Sequence, residues 1–329
     1  MLKPKNPFPA AKPEELSVSS EAIAQTIRNI REDHGLEMHS FLLLRKGKLV
    51  WEEYFRENEP ERLHVLHSVS KSFTSLAVGI AQAQGLLSIE DKLYDFFPEY
   101  ASLCDSDRKR QVTLRHLLMM GSGFENKEEE IFAGGFEYDM VQKALALPVI
   151  HPPGKIFNYY TLGTYLLSAV FSRICPMGIH AYLRQKLMDP MGFGPSHWNV
   201  DLNDVPLGGF GLYLQARDLA RAGQFLLQNG VWESQQLAPA GYIRDASAKQ
   251  IENNADADGK TADDNTDWGA GYGFQFWRNS FGGFRADGMH GQYIVVLPEK
   301  EVVLVMTSRL DDMQIPLRAV ADILLPGIE

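Results

Sequence analysis

Strand-forming sequence is confined to two regions that lie far apart in this 329-residue chain. Residues 38–55 contain two β-rich runs joined at Lys46-Gly47-Lys48, which is typical of a hairpin. A second β-rich region begins near Gly208 and contains four short runs, at residues 272–279, 282–289, 292–298 and 301–308. We expect both groups to join in one antiparallel sheet, and this expectation constrains the fold more than any other feature of the sequence.

The residues between the two groups have the pattern of helices and loops. Apolar spacing typical of a helix occurs at residues 112–120, 161–174 and 180–193, and two further helical segments, 20–35 and 310–325, lie near the chain ends. We therefore predict an α+β fold, in which a central antiparallel sheet is flanked by the terminal helices and joined to a mainly helical region.

This interpretation divides the chain into two regions. Residues 1–87 and 207–329 are expected to form the α/β region, with terminal helices on the antiparallel sheet, and residues 88–206 the helical insertion. The polar, acidic stretch 250–267 has no apolar periodicity, so we expect it to be a surface loop.

Charge and composition narrow the classes of partner. The formal net charge is -10 and there is no basic run, so neither nucleic acid nor a membrane is expected as a partner. The chain has only two cysteines and no 18-residue apolar stretch, and prolines stand where a signal peptide needs an apolar run. These features predict a cytoplasmic protein. No metal or nucleotide motif is present, so no cofactor and no metal are expected. The oligomeric state stays open.

A lysine stands at the start of an otherwise apolar helical segment, HSVSKSFTSLAVGIAQAQG, residues 67–85. Ser68 and Lys71 share one helix face, because residues three apart lie about 5–6 Å from each other. The amine can take the serine proton if burial or the helix N-terminus lowers its pKa. A serine-rich cap followed by a lysine that extends to solvent fits the same spacing.

Other hydroxyls in this pattern are weaker candidates. Ser70 and Ser72 point away from the shared face, given a helical period of 3.6 residues. Ser106 and Lys109 repeat the spacing, but their neighbours are charged and no apolar helix follows, so we expect that pair to lie in a solvated loop.

The order of motifs along the chain resembles that of the serine β-lactamase-fold hydrolases. Ser68-x-x-Lys71 is followed by SIEDKLYDFFPEY, VTLRHLLMMGSGF and PPGKIFNYYTLGTYLLS, so the resemblance covers about residues 38–325. That superfamily includes class C β-lactamases, D-Ala-D-Ala carboxypeptidases, family VIII carboxylesterases and 6-aminohexanoate-dimer hydrolases. The resemblance implies a β-lactamase/transpeptidase-like fold, with Ser68 as the nucleophile and Lys71 as its base.

The resemblance also implies a catalytic tyrosine. The lead-in PG-x-x-F-x-Y ends at Tyr159, whose phenol would relay protons between nucleophile, lysine and leaving group. A core tyrosine is the alternative, and we expect its neighbour Tyr160 to have the opposite exposure. Thr161 stands where the family has an asparagine, so the side-chain amide that often contacts a β-lactam or peptide is missing.

The third motif of β-lactamases, K-T-G, has no close counterpart. The stretch RADGMHGQY, residues 285–293, resembles instead the G-x-H-G-Q run of the 6-aminohexanoate-dimer hydrolase branch. Gly288 then aligns with the motif glycine. This alignment implies that the backbone N–H groups of Met289 and Ser68 form the oxyanion hole.

The residues around this motif have open roles. His290 either lines the site or is a structural histidine bonded to a backbone carbonyl. Trp268 belongs to an aromatic stretch, residues 268–277, that either walls an acyl pocket or forms strand core. In the K-T-G motif of the family, the lysine holds the carboxylate of a β-lactam or peptide. This chain lacks that lysine, and Arg285 or Arg309 is a candidate to replace it.

Together the motifs favour a serine hydrolase that cleaves a small-molecule ester or amide through an acyl-enzyme on Ser68. The first alternative is a β-lactamase or D-Ala-D-Ala carboxypeptidase. This hypothesis is weakened because no residue is clearly identified as the cation that binds the substrate carboxylate. The second alternative is a catalytically silent scaffold of the same fold that binds a partner or ligand, and it is motivated by Thr161 and the degenerate third motif.

Overall fold

The computed structural model describes residues 8–32, 37–135, 138–254 and 267–329. Most of the expected surface loop 250–267 lies outside the described residues. The strands, in chain order, are β1 (Glu37–Arg45), β2 (Lys48–Tyr54), β3 (Leu63–Val65), β4 (His197–Trp198), β5 (Leu212–Gln215), β6 (Val231–Trp232), β7 (Gln235–Gln236), β8 (Trp277–Arg278), β9 (Phe284–Gly288), β10 (Gln292–Leu297) and β11 (Val302–Arg309).

Helices alternate with loops in the middle of the chain, and further helices occur near both chain ends. A π-helical turn, Arg184–Met188, continues α8, and another, Val320–Leu324, continues α11. The α-helices are α1 (Ser20–Glu32), α2 (Val69–Ala83), α3 (Asp107–Gln111), α4 (Leu114–Leu118), α5 (Glu128–Ala133), α6 (Met140–Ala146), α7 (Thr161–Ile174), α8 (Gly178–Leu183), α9 (Ala216–Leu227), α10 (Ala240–Ser247) and α11 (Gln314–Ala319).

The main sheet joins the two β-rich regions, as predicted. Its strand order is β2-β1-β11-β10-β9-β8, and each neighbouring pair is antiparallel. The pairing of β1 with β11 sets Leu42 opposite Val305, which brings the N-terminal hairpin beside the last strand of the chain. Lys46 and Gly47 both have positive φ, the geometry that a two-residue hairpin turn requires. The predicted α+β class is confirmed.

Alternation along the strands gives the sheet two buried faces. Phe41 and Leu43 of β1 pack into the cluster that contains the terminal helices α1 and α11, whereas Leu42 and Leu44 pack into the larger cluster with α2, α7 and α9. Successive strand residues point to opposite faces, so one strand serves both cores. The sheet is therefore covered by helices on both sides.

Helix α2 lies at the centre of the larger core. It contacts α7, α8, α10 and β9, and every residue from Val69 to Ala81 is buried. At Gly79 the helix meets the aromatic ring of Tyr242 on α10, and a Cβ atom there would lie 2.3 Å from a ring carbon. The Tyr242 hydroxyl lies 3.0 Å from Ser75 Oγ and fixes the same contact.

Two sequence predictions about local structure are wrong. Within the predicted strand 272–279, only Trp277 and Arg278 pair in the sheet, because Gln275 has a positive φ of 66° that turns the chain out of extended geometry. Ser106 and Lys109 do not lie in a solvated loop. Ser106 caps α3, and Lys109 is 2% exposed, with its amine bonded to the carbonyls of Leu103 and Leu145.

Among the described residues, no single helix is long and apolar enough to cross a membrane. Thr161–Ile174 and Gly178–Met188 reach such a length and apolar composition only when taken together, and they are bent by 77° relative to each other.

We expect Gly79→Ala to destabilise the protein even though alanine is the better helix former. Alanine gains about 1 kcal/mol in helix propensity, but the added Cβ overlaps the ring of Tyr242, and overpacking of this kind costs about 1–3 kcal/mol. Chemical denaturation measures the difference. Gly241→Ala on α10 is the control, because its Cβ would meet only the end of Arg244, 3.9 Å away. A more stable Gly79→Ala protein would contradict the packing described for α2.

Candidate active site

The first turn of α2 holds the serine and the lysine of the first motif together. Ser68 occupies the N-cap position, and the backbone N–H of Lys71 donates to the Ser68 carbonyl. The Lys71 Nζ atom lies 3.0 Å from Ser68 Oγ and 3.0 Å from the carbonyl oxygen of Gly209. The amine is thus a hydrogen-bond partner of the hydroxyl, as the spacing predicted.

Lys71 is buried to 1% exposure. Removal of the amine from water lowers its pKa to about 7, and the negative charge of Glu128 acts in the opposite direction. The apolar residues of α2 therefore do more than fill the core. They place the amine where, near pH 7, a large fraction of the protein molecules carries Lys71 in the neutral form, which can accept a proton.

Tyr159 lies on the other side of the amine. Its ring centroid is 4.9 Å from Lys71 Nζ. Burial raises the pKa of Tyr159, and interaction with the Ser68 side chain acts in the opposite direction. The ring stacks on Trp277, with centroids 5.4 Å apart. Tyr160 points into the core and is more deeply buried than Tyr159. The structure thus brings Ser68, Lys71 and Tyr159 together.

The end of β9 runs directly against the start of α2. A Cβ atom on Gly288 would lie 2.3 Å from the carbonyl oxygen of Leu66 and 3.2 Å from the amide nitrogen of Val69. No larger residue fits there without moving backbone. The glycine of the third motif therefore allows the strand to reach the residues on either side of Ser68.

The chain turns at residues 288–291, beyond the end of β9. The carbonyl of Gly288 accepts from the N–H of Gly291, so it points into the turn. The N–H of Met289 belongs to the same trans peptide and points the opposite way, out of the turn. Gly288 touches Leu66 and Val69, which flank Ser68, so the turn that carries this N–H begins beside the start of α2.

Gln292 and Ser308 hold this turn from behind. Gln292 Nε2 donates to the carbonyl of Ser308 at 2.6 Å and lies 3.3 Å from the carbonyls of Met289 and His290. Ser308 Oγ lies 2.8 Å and 2.7 Å from the carbonyl oxygens of His290 and Gly291, and its single hydrogen is donated to this pair. Gln292 is the last residue of the G-x-H-G-Q run, and it ties the turn to β11.

Two histidines border the turn. His290 Nδ1 lies 3.2 Å from the carbonyl of Leu310, and its ring meets that of His67 edge to face, with centroids 5.3 Å apart. His67 directly precedes Ser68, and burial lowers its pKa. His290 thus bonds a backbone carbonyl and lies near the site, so the two roles considered for it are compatible.

Exposed apolar side chains lie at the mouth of the site. Met289 is 57% exposed and Trp268 is 36% exposed. Trp268 Nε1 donates to Asp287 at 3.4 Å, and its ring lies 6.4 Å from that of Trp277, which stacks on Tyr159. The aromatic stretch therefore borders the site with Trp268 and Trp277.

Glu128 is a site residue that the sequence reasoning missed. Its carboxylate accepts the backbone N–H of Thr161 at 2.6 Å and lies 3.4 Å from Thr161 Oγ1. Burial raises the pKa of Glu128. In the sequence, Glu128 is one of three consecutive glutamates, 128–130, a pattern typical of a solvated helix face. Its contact lies 33 residues away, so no local signal identifies it.

Of the two arginines considered as a replacement for the K-T-G lysine, Arg285 is held in ion pairs, whereas no ion pair of 4.0 Å or less holds Arg309 among the described residues. Arg285 is fully buried and forms ion pairs with Asp267 and Asp287, at 2.7 Å and 2.9 Å. Arg309 is exposed at the end of β11, where it pairs in register with Glu37. Arg285 is therefore not free to bind a substrate carboxylate, because its Nε, Nη1 and Nη2 atoms already donate to Asp287 and Asp267.

No group of three or more His, Cys, Asp or Glu side chains within the described ranges is arranged to hold a metal ion. The described groups around Ser68 are a hydroxyl, a buried amine, a phenol and backbone N–H donors. Such a set can deprotonate a hydroxyl, stabilise a developing oxyanion and return a proton to a leaving group.

Comparison with known proteins gives consistent results. The sequence model of the family described as Beta-lactamase matches residues 23–323. The chain is 24% identical over 338 residues to the 6-aminohexanoate-dimer hydrolase of Paenarthrobacter ureafaciens, covering 92% of this chain and 80% of that protein. A shorter match, 20% identical over 203 residues, joins 56% of this chain to only 37% of Beta-lactamase-like protein 2 of Dictyostelium discoideum.

Solved structures share the fold. A structure from Bacillus anthracis, provisionally described as a 6-aminohexanoate-dimer hydrolase, superposes with a TM-score of 0.77 at 18% identity, and the match covers 97% of this chain and 86% of that one. The predicted β-lactamase/transpeptidase-like fold is confirmed.

We expect the Lys71 amine to titrate near pH 7, far below the value of about 10.4 for a free lysine. NMR of ¹³C-labelled lysine measures this, and Lys71→Met identifies the signal. Glu128→Gln should lower the pKa further, because the carboxylate stabilises the charged amine. A Lys71 signal that titrates above pH 10, together with the exposed lysines, would contradict the described burial.

Proposed function

We propose, from the premise that this chain belongs to the beta-lactamase family, that it is a serine hydrolase acting through an acyl-enzyme on Ser68. Its substrate is a small-molecule ester or amide. The observation that carries this proposal is the buried amine of Lys71, 3.0 Å from Ser68 Oγ. A lysine that served only as a surface residue would extend to water, since burying an amine costs free energy.

The reaction begins with proton transfer from Ser68 Oγ to Lys71 Nζ, while Oγ bonds to the substrate carbonyl carbon. The carbonyl oxygen becomes an oxyanion, which the N–H groups of Ser68 and Met289 stabilise. The phenol of Tyr159, close to both Ser68 and Lys71, passes the proton to the leaving alcohol or amine. Collapse of the intermediate breaks the bond to the leaving group and leaves an ester on Ser68.

Water then completes the cycle. Lys71 and Tyr159 take one proton from the attacking water, whose oxygen bonds to the acyl carbon. The Ser68 ester bond breaks, Oγ regains a proton, and the free carboxylic acid leaves. The aromatic residues Trp268 and Trp277 border the site and suit an apolar acyl or leaving group.

A second candidate is β-lactam hydrolysis or peptidase activity within the same family. The family description and one relative's name, Beta-lactamase-like protein 2, favour it. The chemistry of this site weighs against it, because Thr161 replaces the amide and Arg285 is fully engaged by Asp267 and Asp287. We also propose a cytoplasmic location, on the composition of the sequence.

We expect hydrolysis of p-nitrophenyl esters by the wild-type protein, and we expect Ser68→Ala to reduce the rate to background because the nucleophile is lost. Ser106→Ala is a matched control from the second S-x-x-K sequence, and it should keep the activity. Mass spectrometry after incubation with a fluorophosphonate should locate one adduct on Ser68. Unchanged ester hydrolysis by Ser68→Ala would refute the proposal.

The same mass measurement separates the alternatives. Turnover of a penicillin with an acyl adduct on Ser68 would favour the β-lactamase reading. If neither esters, amides nor penicillin react and folded protein shows no adduct, the silent scaffold is the better account.

We expect Gln292→Met to lower kcat for ester hydrolysis by roughly ten- to a hundredfold with little change in KM, because the turn that carries the Met289 N–H loses its support. Gln275→Met is the control. Gln275 is also a buried glutamine, and its amide donates to the carbonyls of Leu117 and Leu118. Both variants should lose stability, which thermal unfolding measures. An equal loss of kcat in both would show a general structural effect instead.

A further inference from the structure

We infer that Glu128 makes the proposed active site selective by charge, so that it favours esters and amides with a cationic group near the scissile bond and disfavours those with a carboxylate there. This inference rests on the proposed function, because it concerns the substrate of the same site. It concerns a residue that none of the three motifs contains.

Glu128 forms one wall of the site together with Thr161 and Gly209. Its carboxylate holds the backbone N–H of Thr161, the first residue of α7. A Cβ atom on Gly209 would lie 2.7 Å from Thr161 Cγ2 and 3.5 Å from Lys71 Nζ, and the Gly209 carbonyl accepts from that amine. The carboxylate, the threonine, the glycine and the lysine are therefore contiguous.

The charge of Glu128 acts on the groups that surround the serine. It favours the protonated form of Lys71, and it contributes to the raised pKa values of Tyr159 and Tyr160. Within the described residues no ion pair of 4.0 Å or less joins Glu128 to a cation. Burial raises the pKa of Glu128, while the N–H of Thr161 and the charge of Lys71 act to lower it. Above that pKa its negative charge acts on the site without a contacting lysine or arginine to cancel it.

The charged residues at the third motif do not offset the negative charge of Glu128. Arg285 lies on the strand of the third motif, but Asp267 and Asp287 both pair with it, so this cluster carries one carboxylate more than it has cations. Burial raises the pKa of Asp287, which reduces that surplus without reversing its sign. Arg309 carries no ion pair among the described residues, and its neighbours Ser308 and Leu310 bond to the turn at 288–291, but it is exposed, so solvent screens its charge.

A substrate that brings a carboxylate to this site therefore meets like charge in a partly buried setting, where screening by solvent is weak. A cationic substrate is attracted by the same field. We expect each effect to be about tenfold in kcat/KM, since unit charges several ångströms apart at a protein surface interact with that strength.

Glu128 also caps the N-terminus of α7, and this structural role must be separated from selectivity. Glu128→Gln keeps an oxygen that can accept the Thr161 N–H and removes only the charge. Glu129 and Glu130, the next residues of the same helix, are exposed and provide matched controls. Glu129→Gln changes the net charge of the protein equally.

The test uses three p-nitrophenyl esters of similar size on the full chain. Their acyl groups are 4-(trimethylammonio)butyryl, its neutral carbon isostere 5,5-dimethylhexanoyl, and the monoanion of adipic acid. For wild-type protein we expect kcat/KM to fall in that order, with the cationic ester about a hundredfold above the anionic one. Glu128→Gln should reduce this ratio about a hundredfold, to near one, and Glu129→Gln should leave it unchanged.

Three outcomes would overturn the inference. They are a wild-type ratio near one, a ratio that Glu128→Gln does not change, and an equal change in Glu129→Gln, which would indicate a general surface field. Thermal unfolding of each variant shows whether a loss of folding contributes. A purely structural role for Glu128 would shift the unfolding temperature and leave the ratio of the three esters as it is.

Measurement of equilibrium binding tests the charge selectivity independently of whether the protein hydrolyses esters. The p-nitroanilides of the same three acids are titrated calorimetrically into Ser68→Ala, and Kd should follow the same order. If binding follows charge but Ser68 cleaves no ester, the proposed function fails and the selectivity stands. If Ser68 cleaves all three esters equally and binding shows no order, the inference fails and the proposed function stands.

Discussion

Burial of the Lys71 amine is the interaction on which the rest of the site depends. An amine removed from water loses solvation that only a few protein groups replace, and here these are the hydroxyl of Ser68 and the carbonyl of Gly209. The consequence is a pKa near 7, which makes the lysine a suitable proton acceptor at neutral pH. The apolar packing of α2 against α7, α8, α10 and β9 holds the amine in this buried position.

The second constraint is backbone contact between β9 and α2. Gly288 lies against Leu66 and Val69, so the sheet that joins the two ends of the chain also places the end of β9 beside Ser68, where we propose that the N–H of Met289 acts. Gln292 orients the turn that follows. A strand from the last quarter of the chain and a helix from the first quarter thus form one site, which explains why the antiparallel pairing of β1 with β11 matters for chemistry as well as for stability.

Sequence reasoning predicted the parts of the structure that depend on local pattern. The hairpin at Lys46 and Gly47, the helices, the α+β class and the juxtaposition of Ser68 with Lys71 follow from spacing, while Tyr159 required the ordered motifs of the family. The reasoning failed where the decisive contact is distant in sequence. Lys109 looked solvated beside charged neighbours, yet the carbonyl of Leu145, 36 residues away, helps to bury its amine.

The ion-pair and hydrogen-bond partners of the charged residues could not be predicted from the sequence for the same reason. The local sequence gives no sign that Asp267 neutralises Arg285 from 18 residues away, or that Glu128, alone of three glutamates, reaches Thr161. Residue type and spacing therefore predicted the reacting groups, while the electrostatic setting that selects a substrate required the tertiary structure.

The central claim is that a buried amine with a lowered pKa activates Ser68. The most direct test is the pH dependence of the rate at which a neutral fluorophosphonate modifies the protein, followed by intact mass and peptide mapping. The account predicts a single adduct on Ser68 whose rate of formation rises through one ionisation near pH 7 and loses that step in Lys71→Met. A rate that only follows hydroxide concentration, or an adduct on another residue, would contradict it.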